Sequence, residues 1–192
     1  MRQTFKKFER KAGEKYFTPW CVTHALAARE YFQRVVDPAA GAGHIVDAFC
    51  ALGVKARGSD IEPDSAAIFT RDFLELADMS EEADIVSNPP YGIQGRTAVR
   101  FIEHALELTR PYAGRVAMLM QCDFDSAKTR RHLFDACPQF AAKYTLTDRI
   151  YWANLEHTER SSSNHAWFIW DWRNQGRPPT QHWLHAPAGG FR

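Results

Sequence analysis

The sequence predicts an α/β fold built on a doubly wound, mostly parallel sheet, and three observations lead there. Short apolar runs alternate with stretches of helical periodicity along most of the chain. Three of those runs end in turn or acidic residues: Val35-Val36 at Asp37-Pro38, Val54 to Ser59 at Asp60, and Asp84 to Ser87 at Asn88-Pro89-Pro90. The late runs, Lys143 to Trp152 and His165 to Trp172, are joined only by a polar loop, Ala153 to Asn164, which predicts an antiparallel pair at the end of the sheet.

The elements follow in order. Cys21 to Arg34 has helical spacing, with Val22, Leu26 and Tyr31 or Phe32 on one face. A glycine-rich turn after Val35-Val36 leads to a helix over about His44 to Leu52. A helix is expected over Ser65 to Thr70. Thr97 to Thr109 is amphipathic through Val99, Phe101, Ile102, Ala105, Leu106 and Leu108. Arg115 to Gln121 is continuous in apolar residues, as a strand buried on both faces must be. A helix is expected over Ala127 to Ala136, and Trp183-Leu184 adds a short terminal piece.

Composition bounds the function. The 192 residues, 45% hydrophobic and 24% charged, suit one globular domain at 16–192 behind a basic arm at 1–15. That arm carries six cations against Glu9 and Glu14, and is either solvated or in contact with phosphate. The net charge of +1 provides no whole-chain field for nucleic acid, so any such contact is local. No run is long enough for a membrane span, and no apolar core follows the basic start as in a signal peptide. Cys21, Cys50, Cys122 and Cys137 show neither metal nor redox spacing, so a reduced, cytoplasmic protein is expected. His182 and His185 lack a third ligand nearby and read as a surface pair, with no metal expected.

Two segments carry chemistry. In Asp37-Pro38-Ala39-Ala40-Gly41-Ala42-Gly43, glycines let the backbone turn tightly and approach a ligand, and the following helix presents free N–H groups. Asp60 closes the next strand, where a carboxylate can accept both ribose hydroxyls of a nucleoside. A dinucleotide fingerprint is disfavoured, because Val46 stands where its third Gly or Ala belongs. The second segment, Asn88-Pro89-Pro90-Tyr91, falls at the carboxyl edge of the sheet. The lone pair of an exocyclic amine is delocalised into its aromatic ring. Two acceptors on its N–H bonds, the Asn88 side-chain oxygen and the Pro89 carbonyl, would favour pyramidal nitrogen and aim the lone pair at an electrophile. Pro89 and Pro90 preset the turn, and Tyr91 can stack on a flat base.

In this order the residues resemble S-adenosylmethionine-dependent amino-methyltransferases of the gamma arrangement, with cofactor motifs ahead of the catalytic one. The resemblance runs from Tyr16 to Trp172 and is most specific at Asn88 to Tyr91. It implies a class I, Rossmann-like fold with a seven-stranded sheet and an antiparallel final strand, and S-adenosylmethionine as cofactor. It also implies cofactor contacts from Tyr16-Phe17-Thr18-Pro19, from Asp37, Ala39, Gly41 and Gly43, from Asp60 with Ile61 against the adenine, from Asp72 and Phe73, and from Asn88. Asn first in the tetrapeptide is usual for adenine-N6 enzymes, whereas cytosine-N4 enzymes more often carry Ser. None of the ten prolines precedes a cysteine, so cytosine-C5 chemistry is excluded. About a hundred residues follow Tyr91 and the fold consumes them, leaving no room for the large target-recognition domain of restriction–modification enzymes. The chain is similar instead to small phage and prophage adenine methyltransferases, with His165 to Asp171 resembling their terminal strand. Sequence discrimination should then be weak or supplied by a partner.

DNA, with the target adenine flipped from the stack, is the leading substrate. RNA adenine, or a release-factor glutamine, would use the same tetrapeptide, and a non-catalytic binding module is a third reading. Arg96 and Arg100, just past the catalytic turn, and Arg160 in the polar loop are the phosphate-binding candidates, while Lys128, Arg130 and Arg131 are as readily solvated. Trp167, Phe168, Trp170 and Trp172 read as core.

Overall fold

A computed structural model describes residues 16–153 and 158–192. The basic arm expected at 1–15 lies outside the described residues. The strands are β1 (Arg34–Asp37), β2 (Lys55–Asp60), β3 (Phe69–Thr70), β4 (Asp84–Ser87), β5 (Arg115–Gln121), β6 (Phe140–Leu146), β7 (Tyr151–Ala153), β8 (Thr158–Arg160), β9 (His165–Asp171) and β10 (Thr180–Leu184). Eight of them form one sheet in the order β10-β6-β9-β5-β4-β1-β2-β3, and β7 and β8 pair as a separate antiparallel ribbon. The five strands β1 to β5 are all parallel, and only β9 runs against its neighbours, β5 and β6.

Strand order reverses between β1 and β4. The chain winds outward from β1 through β2 to β3, then returns to the other side of β1 for β4 and β5. Crossovers leave in opposite directions there and open a crevice at the carboxyl ends of the two strands, where open α/β sheets take ligands. Asp37 ends β1 and Ser87 ends β4, so the candidate motifs flank that crevice.

The helices α1 (Trp20–Ala27) and α2 (His44–Ala51) cover one face of the sheet, and α3 (Arg96–Thr109) covers the other. The strands between them send successive side chains to opposite faces, and both faces are buried. In β9, Trp167 and Ile169 join the cluster of Val22, Leu26 and Phe49, while Phe168 and Trp170 join that of Phe101, Ile102 and Ala105. Each fully buried side chain of this size contributes roughly 1.5–3 kcal/mol. The aromatic run therefore serves as core, as its composition suggested.

At the amino edge of the sheet, Arg115 is 9% exposed and joins three segments. It pairs with Glu30 at 3.0 Å and Asp84 at 2.9 Å and donates to the Tyr31 carbonyl, while Tyr144 donates to Glu30 at 2.5 Å. Losing one partner of so buried a pair leaves an uncompensated charge, typically at a cost of about 3–5 kcal/mol.

The structure departs from expectation in five places, one being that the helix expected over Cys21 to Arg34 ends at Ala27, with Arg34 opening β1. The sheet has eight strands rather than seven, and the last of them, β10, is parallel to β6, so the antiparallel strand is the one before it. The run from Lys143 to Trp152 breaks after Leu146, where the Thr147 N–H donates to Leu184 and the chain turns into the ribbon. Ser65 to Thr70 is a turn followed by the short β3, not a helix. Residues 127–136 form 3-10 turns because Arg130 and His132 are drawn to partners on other elements, Phe124, Gln94 and Glu103.

Candidate active site

Four segments meet at the crevice through side chains that bind across it. Asp37, 1% exposed, accepts at Oδ1 from the Ala39 N–H at 3.1 Å and from the Ser87 hydroxyl at 2.7 Å, tying the ends of β1 and β4 together. Burial raises its carboxyl to about 7, aided by the nearby charge of Asp60, while the two donated hydrogen bonds oppose the rise. Ser87 is fully buried and was missed by sequence reading; its only signal was a small hydroxyl residue directly ahead of Asn88.

The glycine loop has the form its residues require. Gly41 lies at φ +52° and Gly43 at φ +96°, the latter capping α2. Both values lie in the left-handed region that glycine adopts without a Cβ clash. The Gly41 N–H donates to Asp60 Oδ2 at 2.8 Å, and the Glu62 N–H donates to Oδ1 at 2.9 Å. Each carboxylate oxygen keeps a lone pair for a further donor. Beside Asp60, Ile61 is 64% exposed and available to a flat ring.

The opening segment closes the crevice from the other side. Phe17 stacks on His44 at the start of α2, with centroids 4.8 Å apart. Thr18 and Pro19 are buried. Asn88 Nδ2 faces Thr18 Oγ1 at 3.3 Å and the Tyr16 carbonyl at 3.5 Å. A carbonyl can only accept, so the Asn88 amide must turn its NH2 to Tyr16 and keep Oδ1 on the opposite branch.

Tyr91 is half-buried, with its ring edge-on to Phe124 at 6.2 Å and its hydroxyl accepting from the Gln121 N–H at 2.7 Å. Its carbonyl accepts from Thr97 and Ala98, joining the Asn88–Tyr91 turn to the first turn of α3. Gln121, Phe124 and Arg130, none of them marked by the sequence motifs, thus hold the turn from behind.

Other expected residues have partners of their own. Asp72 caps a short turn, accepting from Leu74 at 2.9 Å. Phe73 is 3% exposed and packs on Phe101 and His104, so its side chain belongs to the core under α3. Arg96 and Arg100 are exposed on the first turns of α3, and Arg160 pairs with Asp148 at 3.3 Å. Arg131 pairs with Asp135 within its own turn. Among the described residues no helix is long and apolar enough to cross a membrane, and no group of three or more His, Cys, Asp or Glu could hold a metal ion.

No protein-family model and no curated protein matches the chain in sequence. Solved structures match its fold. The EcoKI M protein of a type I restriction enzyme is similar over 92% of this chain and 50% of its own, with a TM-score of 0.59 and 18% identity. A protein assigned as the modification subunit of a type I restriction enzyme from Vibrio vulnificus YJ016 is similar over 94% of this chain and 50% of its own, with a TM-score of 0.60 and 17% identity. A protein assigned as an RNA methyltransferase from Pyrococcus horikoshii is similar over 86% and 91%, with a TM-score of 0.59 and 16% identity. The chain therefore has the α/β fold, with its mostly parallel mixed sheet, of class I methyltransferases, and it spans half the length of the two restriction-enzyme subunits.

Proposed function

We propose that the protein is a methyltransferase that uses S-adenosylmethionine to methylate the N6 amine of adenine in DNA. The observation that carries this reading is the Asn88 amide, whose nitrogen is engaged by Thr18 and Tyr16 so that its oxygen is left as an acceptor. An amine substrate requires an acceptor there.

The donor set of the crevice fits the cofactor. Gly41 and Gly43 bring bare backbone to the crevice, Asp60 retains acceptor capacity for a ribose diol, and exposed Ile61 offers an apolar face to adenine. Tyr16, Phe17 and Thr18 would border its methionine end, with Asp37 and Ala39 under the loop and Asp72 towards the adenine amine. S-adenosylmethionine supplies a methyl carbon made electrophilic by a sulfonium.

The chain's own residues do the rest. Asn88 Oδ1 and the Pro89 carbonyl accept from the two N–H bonds of the target amine, drawing the nitrogen out of conjugation with the ring. Pro89 is buried and Pro90 exposed, so the turn is anchored on one side and open to substrate on the other. Tyr91 lines the base, its ring fixed by Gln121 and Phe124. No side chain has to remove a proton beforehand. Arg96 and Arg100, with Arg160 on the ribbon, would bind phosphate. The gamma motif order belongs to this reading, as do relaxed sequence choice or a partner that supplies recognition, and a cytoplasmic setting that the four free cysteines suit.

The test is to incubate the purified protein with tritiated S-adenosylmethionine and, separately, duplex DNA, single-stranded DNA, total RNA and a release factor, then identify the product by mass spectrometry. N6-methyladenine in DNA is expected. Label confined to RNA or protein overturns the substrate, and no label in any of them overturns the reading.

A further inference from the structure

The turn after the catalytic tetrapeptide is built more tightly than a surface loop requires. Gly92, Gln94 and Gly95 all have positive φ, at 63°, 56° and 76°. A Cβ at Gly92 would lie 2.1 Å from Thr97 Oγ1, so only glycine fits. Gln94 adopts its left-handed conformation despite a Cβ, which persists only where neighbours enforce it. Arg130 does so: it donates to the Gln94 carbonyl at 3.1 Å and the Phe124 carbonyl at 2.8 Å, with its guanidinium 3.8 Å from the Phe124 ring centroid. On this frame stands Ile93, 80% exposed. An isolated exposed isoleucine is unremarkable. One fixed by a braced turn two residues past Tyr91 is not.

Resting on the adenine reading above, we infer that Ile93 is a wedge that enters the base stack of duplex DNA and fills the space left when the target adenine turns out. Two residues span at most about 7 Å, so the backbone of Ile93 lies within about 7 Å of that of Tyr91, close enough for its side chain to reach the stack that a base held at Tyr91 has left. Apolar side chains inserted between base steps are a general means of holding a duplex open. Arg96 and Arg100, one helical turn apart on one face of α3, are exposed and can take the phosphates beside the gap, Arg96 by exchanging its 3.5 Å bond to the Gln94 side-chain oxygen. A turn that flexed would let the side chain fold back. The positive-φ frame and Arg130 prevent it.

The experiment compares kcat/KM on unmethylated genomic DNA in native and heat-denatured form for the wild-type protein, Ile93→Ala and Ile93→Leu. Denatured strands offer their adenines without unstacking, so a wedge matters only for the duplex. Ile93→Ala should lose about tenfold or more on native DNA and far less on denatured DNA, and Ile93→Leu should restore most of the loss. An equal loss on both forms assigns Ile93 to the turn alone and overturns the wedge. So does an unchanged rate on the duplex, or a wild-type protein active only on denatured DNA. A wild-type protein that methylates adenine in neither form removes the function on which the wedge rests.

Discussion

Thr18 and Asn88 stand seventy residues apart in the chain and meet with Oγ1 and Nδ2 3.3 Å apart at the crevice. Thr18 is 3% exposed, so its hydroxyl has little to bind but the Asn88 amide. Thr18→Val keeps the shape and removes that partner. Only the Tyr16 carbonyl, at 3.5 Å, then keeps the NH2 turned away, so the amide more often turns over and presents NH2 to an amine substrate, which is repulsive. Turnover should fall about tenfold or more, well beyond any change in cofactor affinity, and Asn88→Ala should cost about 10²–10³ in kcat. Single-turnover rates beside calorimetric titration of S-adenosylmethionine separate the two effects. Near-wild-type turnover in Asn88→Ala would show that the amine is oriented by something else.

Tyr91 serves two purposes that substitution can separate. Its hydroxyl accepts from the Gln121 N–H at 2.7 Å, while its ring borders the proposed base site. Tyr91→Phe keeps the ring and leaves a backbone donor unpaired at the end of β5, a loss of about 1–3 kcal/mol in stability. Tyr91→Ala also removes the stacking surface, worth about 1–3 kcal/mol per base. Denaturant unfolding should therefore register both variants, while KM for DNA should rise clearly only in Tyr91→Ala. If the two raise KM equally, the ring has no part in holding the base.

Asp60 both accepts from Gly41 within the chain and carries the proposed ribose contact. Asp60→Asn retains one acceptor oxygen and replaces the other with a donor facing the Gly41 N–H or the ribose. Cofactor affinity should fall roughly ten- to hundredfold, the range for losing a hydrogen bond to a charged group. Asp60→Ala should bind more weakly still. Titration with S-adenosylhomocysteine measures this without turnover, and unchanged affinity would remove Asp60 from the cofactor site.

Much of this architecture was legible in the sequence where local chemistry and tertiary role agree. The amphipathic stripe of α3 appeared at Thr97 to Thr109, within a residue of its observed start, because one buried face recurs at helical spacing. The glycines at 41 and 43 were legible because their positive φ values admit few other residues. What was not legible depends on partners distant in the chain. Residues 127–136 have helix-forming composition, but Arg130 and His132 gain more from Gln94, Phe124 and Glu103 than from a regular helix. Phe73 carries a motif position, yet its ring is used by the core under α3. Ser87 was hidden for the same reason, since its worth lies in Asp37 fifty residues away.

That Asp37–Ser87 contact sets a pH dependence. Burial raises the Asp37 carboxyl from 3.8 to about 7. Between those values the folded chain keeps a proton that the unfolded chain has released, so stability declines as pH rises through the window and levels off above the folded pKa. Below 3.8 both states are protonated and the contribution is complete. The slope can reach about 1.4 kcal/mol per pH unit. Asp37→Asn keeps an acceptor oxygen for Ser87 and Ala39 and does not titrate, so it should remove this decline. In urea unfolding the wild-type protein should lose stability relative to Asp37→Asn between about pH 4 and pH 7, and the two curves should run parallel above about pH 8. A constant difference across the window would mean that Asp37 stays ionised in the fold, its buried charge held by the Ser87 and Ala39 donors alone.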